Sequence, residues 1–155
     1  MKYSKLQIFC LLIVLMSPLY SSCKKEIKNP IPSIYLDFTI NVKTDPEYLN
    51  LDFQNNAMII KNDAIGATGY DNNGVIVYNA GDHQYYAFDC TCPYDYPNSI
   101  AVQLTGAATA KCPECGSIYV LTSSGMPTLS GPATLPLKEY RTFYNVNTGE
   151  LRVYN

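Results

Sequence analysis

The sequence predicts an all-β domain, a small sandwich or barrel of short strands, and three observations predict it. Several runs alternate apolar and polar residues with a period of two, clusters of Gly, Asn, Asp and Pro separate them, and no long stretch carries the 3.6-residue period of an amphipathic helix. The chain is also rich in tyrosine, which packs well on a pleated surface. Taken in order, Ile34–Val42 reads as a half-buried strand and Leu49–Phe53 as a shorter one. Ala57–Ile60 reads as a strand or a helical turn. Asp71–Gly74 is a turn signal that launches Val75–Tyr78 as a buried strand, and Ala80–Asp82 turns the chain into Tyr85–Phe88, which ends at Cys90. Ile118–Leu121 reads as a further strand. Arg141–Val146 and Leu151–Tyr154 flank Asn147–Glu150 as a hairpin.

The chemistry concentrates in two cysteine pairs, Cys90-Thr91-Cys92 and Cys112-Pro113-Glu114-Cys115. Four thiols on two short knuckles can converge on one point, because each pair needs only a tight turn to aim both sulfurs the same way. Pro93 and Pro113 stiffen those turns, and Gly116 supplies backbone freedom for a close approach. The layout suits a tetrahedral S₄ site, for zinc or for iron–sulfur chemistry. In an exported chain it also suits a disulfide, across the loops or between Cys112 and Cys115, since a bond within Cys90-Thr91-Cys92 would close a strained ring.

The same residues resemble the Rieske family, whose pattern is Cys-x-His, a loop, then Cys-x-x-His-Gly-Ser-x-Tyr or Phe. Cys112–Tyr119 follows the second half with Cys115 at the histidine, and Cys90-Thr91-Cys92 follows the first with Cys92 at the histidine. The resemblance runs from Gly74 to Tyr154. Gly131-Pro132-Ala133 and Leu135-Pro136-Leu137 look like the proline-rich loop that covers the cluster in that family. It implies a Rieske-like β domain with a two-loop cluster-binding subdomain, and a [2Fe–2S] cluster held by Cys90, Cys92, Cys112 and Cys115. It further implies that the hydroxyls of Ser117 and Tyr119 donate hydrogen bonds to the ligand sulfurs. With thiolates in place of both imidazoles, such a cluster would have a low, ferredoxin-like potential. Structural zinc, or disulfides with no metal, stand as alternatives.

The remaining cysteines belong to the N-terminus. Lys2 and Lys5 precede an apolar stretch from Leu6 to Leu19, then Ser21-Ser22 and Cys23. A charged start, a short apolar core and small residues make a secretory signal. Small residues directly before a cysteine resemble the bacterial lipoprotein signal, which implies cleavage after residue 22 and acylation of Cys23. The lysines lack the twin arginine associated with export of folded, cofactor-loaded proteins, which keeps zinc and disulfides open beside the cluster. Residues 23–33 then read as a polar, proline-punctuated linker, and 34–155 as the domain. The expected location is the cell envelope, with the lipid holding the chain to a bacterial membrane.

Without its signal the chain keeps nine Lys and Arg against thirteen Asp and Glu, so no basic stripe favours nucleic acid as a partner. No Ser-His-Asp set, phosphate loop or carboxylate pair supports an enzyme. His83 reads as an exposed loop histidine, Asp89, Asp95 and Glu114 as solvated turn residues, and most tyrosines as strand packing. The sequence therefore points to electron transfer or redox sensing with an unidentified redox or protein partner. The competing reading is a binding or assembly lipoprotein stapled by zinc or disulfides.

Overall fold

The computed structural model describes residues 28–155 apart from Leu129. The expected signal over 1–22 and the acylated Cys23 lie outside the described residues. Strands β1 (Asp37–Asn41), β2 (Ala57–Ile60), β3 (Val75–Gly81), β4 (Gln84–Asp89), β5 (Gln103–Gly106), β6 (Thr109–Lys111), β7 (Ile118–Val120), β8 (Met126–Pro127), β9 (Glu139–Asn145) and β10 (Glu150–Tyr154) alternate with short 3₁₀ turns. The fold is all-β, as the sequence predicts. A six-stranded sheet has the order β1-β10-β9-β4-β3-β2, and a four-stranded meander runs β5-β6-β7-β8. The meander lies in sequence between β4 and β9, so the chain leaves the large sheet at Cys90 and returns to it at Glu139.

Alternation builds the large sheet. Phe38 and Ile40 face inward on β1, opposite Val153 and Leu151 on β10, while Thr39 and Arg152 face outward. These inward residues join Leu36, Val42, Val75, Val77 and Ala87 in one buried cluster. The other face of β3 and β4 presents Ile76, Tyr78 and Phe88 to a second cluster that includes Val102, Ala110, Tyr119, Leu121 and Leu137. Both faces of β3 are therefore buried, which explains its continuous apolar run. The second cluster also contains Cys90, Cys92 and Cys112, so the site rests on the seam between the sheets.

Two expectations change. Leu49–Asp52 is a 3₁₀ turn rather than a strand, nucleated by hydrogen bonds from Tyr48 N to Asp45 O and from Leu51 N to Tyr48 O, both 2.9 Å. In a strand Leu49, Leu51 and Phe53 would share one face; here Leu51 is fully buried while Leu49 and Phe53 are 41% and 65% exposed. The linker expected over 23–33 is docked to the domain from Asn29 onward. Asn29 Nδ2 donates to Pro136 O at 2.9 Å, Lys138 Nζ donates to Pro32 O at 2.5 Å, and Ile31 is buried.

Candidate metal centre

Two knuckles of the same build face each other. In the first, the backbone amides of Asp95 and Tyr94 hydrogen-bond the sulfur of Cys92; in the second, those of Cys115 and Glu114 hydrogen-bond the sulfur of Cys112. Each knuckle is Cys-Pro-x followed by a donor residue, Asp95 in one and Cys115 in the other. Proline after the cysteine suits this turn, because it fixes φ and has no N–H to leave unpaired. The second knuckle closes through Gly116 N to Cys112 O at 3.1 Å and Cys112 N to Ser117 O at 2.9 Å. Gly116 has φ +73, a conformation that a side chain would strain.

Donor atoms of Cys92, Asp95, Cys112 and Cys115 all lie within 4.8 Å of one another. Cys92 Sγ and Cys115 Sγ are 3.7 Å apart, and the Cys112 thiol donates to Asp95 Oδ2 at 3.2 Å. Asp95, expected as a solvated turn residue, is thus part of the group. Cys90, expected as a ligand, is not. Residues 90–92 run extended against 100–102, with a bridge from Thr91 to Ala101 and hydrogen bonds from Val102 N to Cys90 O and from Cys92 N to Ile100 O. The Cys90 side chain is fully buried instead, with the Ile76 backbone hydrogen-bonded to its sulfur.

Burial pushes the Cys92 and Cys112 thiols up from the ordinary cysteine value of 9.0, while the knuckle amides oppose that rise. Tyr119 Oη lies 3.1 Å from Cys92 Sγ, and burial first, then that contact, raises its own pKa. The Cys115 thiol donates to Ser117 Oγ at 3.2 Å, and Ser117 Oγ also accepts from Ala133 N at 3.0 Å. A side chain at Gly131 would collide with Ser117, so the 131–133 segment lies directly on the site. The four cysteines of the two pairs are free thiols.

A tetrahedral ion with metal–sulfur bonds of about 2.3 Å has sulfur–sulfur edges of about 3.8 Å. The 3.7 Å separation of Cys92 and Cys115 matches one such edge, and the four donors are compact enough for one ion. The donors therefore outline a candidate metal site compact enough for a single ion. His83 is exposed in the turn between β3 and β4. Asp89, also expected at the surface, is fully buried: Oδ2 accepts from Tyr70 N and Tyr140 Oη, each at 2.6 Å, and Oδ1 accepts from Thr91 N at 2.8 Å.

No family model matches the chain, and no curated protein matches it. Among solved structures, the chain is similar to a chain in the complex of reduced oxygenase and oxidized ferredoxin in carbazole 1,9a-dioxygenase, at 26% identity over 65% of this chain and 90% of the other, with TM-score 0.43. It is also similar to a protein from Mycobacterium tuberculosis described as an NADH-dependent nitrite reductase small subunit, at 13% identity over 79% and 97% of the two chains, with TM-score 0.43. A protein described as a nitrite reductase NADPH small subunit shares 12% identity over 79% and 100%, with TM-score 0.42.

Proposed function

We propose that this β domain holds one structural zinc ion through Cys92, Cys112, Cys115 and Asp95, and serves as a lipid-anchored binding or assembly module of the cell envelope rather than as an electron carrier. The observation that carries the reading is the compactness of the donor group, all within 4.8 Å. Zinc has no electronic preference for particular geometries, so a mixed set of three sulfurs and one oxygen suits it, and it has no redox role. The ion would hold the 92–95 loop to the 112–115 loop. Three thiolates and a carboxylate on a divalent ion leave an excess of two negative charges, which the knuckle amides and the Ser117 and Tyr119 hydroxyls would offset.

The placement of those two hydroxyls supports a second reading. Hydroxyls at 3.1 and 3.2 Å from ligand sulfurs accord with the resemblance to the Rieske family, and so with an iron–sulfur centre for electron transfer. A visible absorption spectrum of protein purified from its native envelope separates the two. Zinc protein is colourless, whereas an iron–sulfur centre gives charge-transfer bands that bleach on reduction. The anchor has its own test: Cys23→Ala should release the chain from membranes or stall its maturation, and normal fractionation at normal size would refute it.

A further inference from the structure

A cleft unrelated to the cysteines opens where the two halves of the large sheet meet. Strands β4 and β9 are in register at Ala87 with Tyr140 and at Phe88 with Glu139, and toward Tyr85 the ladder stops. Past that point Thr142 Oγ1 donates to Tyr85 O at 2.7 Å, a side chain standing where a ladder bond would be. Cavities of about 480, 390 and 230 Å³ adjoin along this seam, sharing Tyr85 throughout. The first of these, lined by Tyr86, Glu139, Arg141 and Tyr154, has by itself the volume of a small-ligand cleft.

The tyrosines here divide into two groups. Tyr85 and Tyr140 are buried and belong to the core, whereas Tyr86, Tyr144 and Tyr154 are half-exposed on the cleft walls. Tyr144 is held by its neighbours: its ring centroid is 4.9 Å from that of Tyr85 and 5.8 Å from that of His83, with the His83 ring inclined by only 19°. The Arg152 guanidinium stands over the Tyr154 ring, 5.0 Å from its centroid. Rings fixed in this way present faces at little cost in lost side-chain freedom. The walls of the 480 Å³ cavity carry Glu139 and Arg141, one charge of each sign, so that cavity favours no net charge in its ligand.

An extended peptide does not suit this seam. A third strand needs two spacings of about 4.8 Å between its neighbours, and the Thr142–Tyr85 bond holds β4 and β9 within one. We propose that the cleft binds a neutral oligosaccharide, whose apolar C–H faces stack on Tyr86 and Tyr154 while its hydroxyls pair with Glu139 and Arg141. This proposal does not depend on the metal, since the cleft shares no residue with the metal group.

Saturation-transfer NMR of the full chain with cellohexaose, maltohexaose and chitohexaose tests it. At least one hexasaccharide should receive saturation from tyrosine protons, with a dissociation constant of about 1 mM or lower. Tyr86→Ala and, on the exposed face, Arg141→Ala should each weaken that binding by about tenfold while leaving the melting temperature within about 3 °C of the parent. Arg141 is exposed, so its variant keeps the test alive should Tyr86→Ala fold poorly. The proposal is overturned if none of the three sugars gives transfer at about 10 mM, or if Arg141→Ala binds like the parent.

Discussion

Asp89→Asn should be among the most damaging single-atom changes in the domain. The carboxylate is fully buried and ties three elements together: the turn at Tyr70, strand β9 through Tyr140, and Thr91 beside the first knuckle. An asparagine keeps one oxygen and turns the other into a donor. Its better orientation keeps the oxygen toward Tyr70 N and Tyr140 Oη and sets the new N–H₂ against Thr91 N, donor against donor. Losing a bond to a charged acceptor costs about 1.5–3 kcal/mol, and the two surviving bonds drop from charge-assisted to neutral strength. The sum is about 3–5 kcal/mol, or a fall in melting temperature of about 10–20 °C for a domain of this size. Thermal unfolding followed by circular dichroism reads it directly. Thr91 stands next to Cys92, so the variant should also lose metal faster to a chelator. A melting temperature within about 3 °C of the parent would refute the claim that this buried carboxylate organises the site.

Cys90→Ala should retain full metal content and lose only about 1 kcal/mol of stability, whereas Cys92→Ala should abolish tight binding; equal metal loss in both would return Cys90 to the ligand set. Gly131→Ala places a methyl against Ser117 at a backbone φ of +82, and should cost about 1–3 kcal/mol and speed metal release, read by melting and by chelator competition. Burial raises the Tyr85 and Tyr140 hydroxyls above their ordinary 10.0, so the folded state holds these protons more tightly than the unfolded one. That stability is fully present below pH 10 and is lost as pH rises beyond it, so denaturant midpoints should fall on going from pH 9 to pH 11. A flat profile would contradict the assignment.

Much of the fold was legible because the large sheet obeys simple alternation. Phe38-Thr39-Ile40 and Leu151-Arg152-Val153 state their inward faces outright, and Thr148-Gly149 marks the hairpin between β9 and β10. Strands β5 and β6 were not legible. Gln103–Gly106 and Thr109–Lys111 are short and partly exposed, and each carries a single apolar side chain in its interior, Leu104 and Ala110, so they show no hydrophobic period. Leu49–Phe53 misled for the opposite reason, since a tight turn can alternate residue types without alternating faces. At the site, the pair Cys112 and Cys115 was legible from its spacing. In the first knuckle the sequence reading paired Cys90 with Cys92, whereas the compact donor group pairs Cys92 with Asp95. The signal for that grouping lay in the repeated Cys-Pro-x of Cys92-Pro93-Tyr94-Asp95 and Cys112-Pro113-Glu114-Cys115.

X-ray absorption at the zinc edge, on protein purified from its native envelope with its metal counted, tests the central claim most directly. The predicted result is one zinc per chain with three sulfur neighbours at about 2.3 Å and one lighter neighbour at about 2.0 Å. Four sulfurs would restore Cys90 and displace Asp95. Two irons per chain, with a short metal–metal scattering path, would contradict the single-ion site altogether.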